Sequence, residues 1–153
     1  MMRVRFLAFA LWLVVAVSAA HAQRELPAND VQYLKADTAS ALPFSDAVRV
    51  GGMLYLSGII AIDDSMKLVP GGMEAEAHKI MDNARKVLER NGSSMDHIIK
   101  ATVMLADIKE WAAFNAVYRA YFRKGRLPAR SAFGTSGLAF GARAEVEFWA
   151  TVR

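Results

Sequence analysis

The sequence predicts an α+β fold, a mixed β-sheet with two helices packed on one face. Two stretches carry apolar residues at helical spacing, several short runs are rich in β-branched and aromatic residues, and the two kinds alternate along the chain. Such an arrangement needs a helical layer to cover the sheet, and a single layer leaves the other sheet face bare. With 153 residues, 54% of them hydrophobic, the chain fits one ordinary domain that can bury its core without staples.

The N-terminus stands apart from that domain. "MMRVR" is short and basic, "FLAFALWLVVAVS" is apolar, and "AHA" at residues 20–22 puts small residues at both cleavage positions, so residues 1–22 read as a secretory signal peptide. A membrane anchor is the competing reading, but the apolar run is shorter than the ~20 residues a spanning helix needs and the cleavage site follows directly. The expected mature chain begins at Gln23, is periplasmic or secreted, and has no membrane attachment after cleavage. Loss of Arg3 and Arg5 lowers the net charge from +4 to +2, which weakens any nucleic-acid reading. The absence of cysteine excludes disulfides, thiolate metal sites, iron–sulfur clusters and a catalytic thiol.

Residues 23–40 are a polar lead-in with one short strand expected around Val31 to Leu34, and the compact domain spans residues 41–153. Within "AVRVGGMLYLSGIIAI" two β-rich runs flank Gly51 and Gly52, which predicts a hairpin. Residues 54–62 are nearly continuous apolar, as in a strand covered on both faces. "DDSMKLVPGG" is a turn-rich loop. Met73, Ala77, Ile80, Met81, Ala84, Val87 and Leu88 then mark the first helix, ended by Gly92 in a left-handed cap. A strand is expected over residues 98–106. Asp107 and Glu110 have capping-box spacing, and Trp111, Phe114, Tyr118 and Tyr121 mark the apolar side of the second helix, with both tyrosine hydroxyls directed to the periphery. The last strand is expected over residues 145–152.

Few residues offer chemistry. His21 lies in the signal peptide, and His78 and His97 have no second ligand at metal-binding spacing, so no metal is expected. "GTSGLAFG" fails as a nucleophile elbow by register, lacks a following histidine, and lacks the lysine of a phosphate loop; it is a glycine-rich turn. "NGS" at residues 91–93 matches a glycosylation acceptor, but helix capping explains it. Arg130 is different. It follows Pro128 and Ala129 and precedes the small Ser131 and Ala132, and a planar guanidinium suits bidentate capture of a carboxylate. An ion pair with Glu145 or Glu147 is the alternative. Those two carboxylates share one strand face with Trp149, and a carboxylate near a substrate-holding arginine can position a water and shuttle its proton. From the residues alone this is a small-anion pocket.

"PFSDAVRVGGMLYLSG", "LVPGGMEAEAHKIMDNARKVLERNGSS", "IIKATVMLADIKEWAAFNAVYRAYF", and "PARS" followed fifteen positions later by the Glu of "EVE" together resemble the RidA (YjgF) family of enamine/imine deaminases. The resemblance covers residues 43–152. It implies a chorismate-mutase-like fold assembled as a homotrimer with a central β-barrel and pockets at the subunit interfaces. It also implies hydrolysis of 2-imino acids, formed from 2-aminoacrylate or 2-aminocrotonate, to 2-keto acids and ammonia, without a cofactor. By this resemblance Arg130 holds the substrate carboxylate and Glu145 activates the attacking water. Backbone N–H groups near Gly58 and Ala132 complete the contact, and Phe44, Ser57 and Asn115 line the pocket. The family spacing favours Glu145 over Glu147. Two positions depart from the family pattern: Phe44 stands where tyrosine is frequent and Ile59 where glutamine is frequent. The expected partner is a small imino or enamino acid and not a nucleic acid. The alternative is a noncatalytic small-carboxylate-binding or holdase-like member of the family.

Overall fold

The computed structural model describes residues 30–35 and 42–152; the expected signal peptide lies outside them. The element order is β1 (Val31–Leu34), β2 (Ala47–Val50), β3 (Met53–Leu56), α1 (Gly72–Arg90), β4 (Ile98–Leu105), α2 (Trp111–Tyr118), β5 (Ala129–Gly134) and β6 (Ala144–Thr151). The strands form one six-stranded sheet in the order β1-β2-β3-β6-β4-β5. All pairings are antiparallel except that of β4 with β5, so the sheet is mixed, as expected.

Burial alternates along the strands as a single helical layer requires. In β6, Ala144, Val146, Phe148 and Ala150 are buried, while Glu145, Glu147 and Trp149 point to the opposite face. The buried face meets α1, whose Met73, Ala77, Ile80, Met81, Ala84 and Leu88 form its apolar stripe, and Phe114, Val117 and Tyr118 of α2. On the uncovered face, β1, β2, β3 and β6 present Val31, Tyr33, Val50, Tyr55 and Trp149. Tyr55 and Trp149 pack edge to face there, with ring centroids 5.3 Å apart.

The turn chemistry follows the residues. Gly51, at φ 55°, makes the β2–β3 hairpin. Gly92, at φ 76°, ends α1: its N–H donates to the Glu89 carbonyl and that of Ser93 to the Leu88 carbonyl, closing the helix with the two bonds of a Schellman motif.

Four expectations need correction. The apolar run of residues 54–62 is not one doubly covered strand: β3 stops at Leu56, and only an isolated bridge, Ile59 to Val146, continues the pairing. The capping box is half formed, because Asp107 accepts from the Lys109 N–H at 2.9 Å while the Glu110 carboxylate turns to Arg143 at 2.8 Å. Residues Ile108–Glu110 therefore form a 3₁₀ turn before α2. Tyr118 does not reach the periphery: it is 4% exposed and its hydroxyl is buried without a partner among the described residues, since α2 packs that ring into the core. Trp111 is not on the buried side, being about half exposed.

Candidate active site

The residues singled out in the sequence fall into two groups on opposite faces of the sheet. Arg130 lies opposite Ala101, which lies opposite Phe148, and both of those are buried on the helical side. Its guanidinium accordingly sits over the Tyr118 ring of α2, 4.7 Å from the centroid, with the Trp111 ring at 5.9 Å. These distances suit cation–π contacts. Glu145 lies in the row of Met104 and Phe133, on the bare face. Two strand spacings and three residues separate Arg130 and Glu145, roughly 14 Å at the backbone. One subunit does not bring them together, and the ion pair weighed for Arg130 is absent: among the described residues no carboxylate pairs with it.

The Arg130 group comprises a pocket of about 450 Å³ lined by Asn115, Tyr118, Arg119, Leu127, Pro128 and Arg130. Two buried polar atoms in it, Asn115 Oδ1 and the Tyr118 hydroxyl, have no hydrogen-bond partner among the described residues. Buried groups left unpaired are costly, and a polar ligand that paired with them and with the guanidinium would remove that cost. Burial pushes the Tyr118 hydroxyl up to about 12, partly offset by the Arg130 charge. β5 is an edge strand. The Thr135 N–H donates to the Leu105 carbonyl, so by strand alternation the amides of Ser131 and Phe133 face β4 while that of Ala132 faces the free edge. Ala132 therefore offers a backbone donor next to Arg130.

The Glu145 group forms a second pocket of about 310 Å³, which includes Phe44, Ser57, Gly58 and Ile59. Four residues named from the sequence thus meet here: Phe44, Ser57, Gly58 and Glu145. Glu147 is already engaged, accepting from Trp149 Nε1 at 2.8 Å, whereas Glu145 has no hydrogen bond or ion pair among the described residues. The carboxylate lies directly against Gly58, where a Cβ would collide with it. Gly58→Ala is expected to fold, because the obstructing atoms are the end of a flexible side chain, but to displace Glu145. Thermal melting should show a nearly unchanged Tm, while any reaction that depends on the Glu145 carboxylate should slow at least tenfold.

Sequence reading missed what holds Glu145 in place. Arg143, two residues earlier, is pinned by the buried Glu76 of α1, whose carboxylate accepts the Arg143 N–H at 2.8 Å, and by Glu110, which pairs with its guanidinium at 2.8 Å. The Arg143 carbonyl accepts from the Ala106 N–H at 2.9 Å. Helical spacing puts Glu76 beside the buried stripe of α1, which was the one available signal.

The orphaned Tyr118 hydroxyl gives a direct test. Removing it as Tyr118→Phe is expected to leave stability at pH 7 equal or higher. The unfolded phenol ionises near pH 10 while burial holds the folded one up to about 12, so above pH 10 the unfolded wild-type chain gives up a proton that the folded chain keeps, and wild-type stability falls as pH rises toward 12. Urea unfolding at pH 8 and pH 11.5 should show a steeper alkaline loss for wild type than for the variant.

A family model described as Endoribonuclease L-PSP matches residues 35–152. The chain belongs to the RidA/YjgF family. Within this family it is 39% identical over 106 residues to a Mus musculus protein named 2-iminobutanoate/2-iminopropanoate deaminase, covering 69% of this chain and 78% of that one. Protein HMF1 of Saccharomyces cerevisiae is 37% identical over 115 residues, or 75% of this chain and 88% of that protein. The crystal structure of RidA from an Antarctic Psychrobacter is similar at a TM-score of 0.72 and 30% identity, covering 79% of this chain and 99% of that one. Yeast Mmf1 is similar at a TM-score of 0.71 and 32% identity, covering 74% and 90%. The α+β architecture with its six-stranded sheet and two helices is thus that of RidA/YjgF proteins.

Proposed function

We propose that this RidA-family chain is a 2-imino acid deaminase that works as a homotrimer outside the cytoplasm, each site being shared by two subunits. The observation that carries this reading is the division of the site: an unpaired guanidinium with adjacent backbone and side-chain polar groups lies on one sheet face, and an unpaired carboxylate beside an exposed glycine lies on the other. Each is half of a hydrolytic site. Neighbouring subunits that join through the bare, partly apolar sheet face would supply both halves, and would cover Tyr33 and Trp149, which are 75% and 40% exposed in one chain.

In the assembled site Arg130 takes the substrate carboxylate in a two-point charge-assisted contact, with the Ala132 N–H alongside. The Glu145 carboxylate of the facing subunit removes a proton from water as the water oxygen bonds to the iminium carbon. The resulting tetrahedral carbinolamine gains a proton on nitrogen from the Glu145 carboxyl. Collapse expels ammonia and, with loss of the hydroxyl proton, leaves the 2-keto acid. A protonated imine is already electrophilic, so position and proton transfer are what the protein must supply.

The test generates 2-aminoacrylate and 2-aminocrotonate in situ and follows keto-acid release with and without the mature protein. Acceleration is the expected result. A folded trimer that leaves both spontaneous rates unchanged would overturn the reading in favour of a noncatalytic carboxylate binder. Export rests on the pattern of residues 1–22. N-terminal sequencing of the protein recovered from its producing cell should begin at Gln23, and an intact Met1 would contradict export with cleavage.

A further inference from the structure

The cavity beside Glu145 is large and apolar for a site that handles the smallest imino acids. Its volume of about 310 Å³ lies at the lower edge of the roughly 300–1,000 Å³ found for pockets that enclose whole small molecules. A methyl or ethyl side chain would leave most of it to water. Phe44, Ile59, Ile62, Met66, Val87 and Phe140 give it apolar walls. Its other polar lining groups are already engaged. Ser57 Oγ donates to the Ser45 carbonyl at 2.7 Å, the Asn83 amide nitrogen donates to the carbonyls of Ile60 and Ile62 at 3.3 and 3.0 Å, and Asp46 accepts from Arg90 at 3.1 Å. Among the described residues this leaves Glu145 as the charged lining group without an ion pair or hydrogen bond, in a cavity whose walls are mostly apolar.

Backbone conformation points to the same place. Two non-glycine residues of the described chain have positive φ, Met66 at 61° and Phe140 at 59°, and both line this cavity. L-residues hold that conformation only where the surrounding structure imposes it, and such residues gather at ligand sites.

We propose that this cavity receives the substrate side chain, and that the enzyme prefers 2-imino acids with large apolar side chains, branched aliphatic, thioether or aromatic, over 2-iminopropanoate and 2-iminobutanoate. The inference rests on the deaminase reading above and adds the substrate class to it. With the carboxylate on Arg130 and the imine carbon beside Glu145, the side chain is the part of the substrate left to occupy the apolar walls. Phe44 and Ile59 contribute hydrocarbon to those walls. Each methylene moved from water into such a cavity strengthens binding about fourfold.

An L-amino acid oxidase acting on alanine, 2-aminobutyrate, leucine, methionine and phenylalanine supplies the imino acids in situ, and kcat/KM is compared across the series. The leucine-derived imino acid is expected to exceed 2-iminopropanoate by tenfold or more. Ala139 is exposed on the cavity wall, and Ala139→Phe is expected to lower the rate on the leucine-derived substrate at least tenfold more than that on 2-iminopropanoate. Turnover of 2-iminopropanoate with equal or falling kcat/KM for larger side chains would overturn the inference and leave the deaminase reading standing. If no imino acid is turned over, calorimetry with 2-oxopropanoate and 4-methyl-2-oxopentanoate decides. Tenfold tighter binding of the larger acid supports the subsite while the deaminase reading fails, and equal or absent binding overturns both.

Discussion

Arg130→Ala is expected to lower kcat/KM for 2-imino acid hydrolysis by roughly 100-fold, with the oligomer and the melting temperature close to wild type. A hydrogen bond to a charged group contributes about 1.5–3 kcal/mol, and the two-point grip of a guanidinium on a carboxylate supplies two of them. Taking the upper value, about 6 kcal/mol for the pair, and retaining half of it through the Ala132 N–H leaves a loss of about 3 kcal/mol, or about a hundredfold. The fold should tolerate the change because Arg130 makes no ion pair among the described residues; it rests on the faces of Tyr118 and Trp111. Arg130→Lys should recover little, since an ammonium lacks the planar fork. Steady-state kinetics beside size-exclusion chromatography and thermal melting check all three statements. A variant at wild-type kcat/KM would remove Arg130 from the site.

Glu145→Gln is the second large effect. An amide occupies the same space against Gly58 but cannot take a proton from water, so kcat is expected to fall by roughly 10²–10⁴ while binding of a 2-keto acid product is kept within a few fold. Glu147→Gln should change kcat little, because that carboxylate already accepts from the Trp149 indole rather than lining the pocket. The reverse ranking would assign the proton transfer to Glu147.

Much of the fold was legible because local patterns and tertiary needs agree. The α1 stripe, the Gly51 turn and the Gly92 cap were read from spacing and from the few residues that tolerate positive φ. β5 was not read as a strand. It is an edge strand of Ala, Arg, Ser, Ala, Phe and Gly, whose half-exposed faces show no apolar alternation, and its pairing with β4 joins residues about thirty apart. The same gap hid the division of the site. Which face Arg130 takes depends on the register of β5 against β4, and no local feature of "LPARS" states it. Tyr118 was misplaced for a related reason: helical spacing tells which residues share a face, not how deeply the sheet buries each. Phe44, Ser57, Gly58, Asn115 and Ala132, and the choice of Glu145, came from family resemblance. Composition and spacing reached a small-anion pocket and left Glu145 and Glu147 undivided.

The central claim is that Arg130 and Glu145 act together across a subunit boundary. Refolding Arg130→Ala and Glu145→Gln chains as an equimolar mixture tests it most directly, since each variant alone lacks one half of every site. Random assembly pairs an intact Arg130 with an intact Glu145 in about one site in four. The mixture is therefore predicted to show about a quarter of wild-type kcat where each parent shows almost none. A mixed oligomer no more active than its parents would mean that both residues serve the same subunit's site, or that one of them serves none, and would contradict the account.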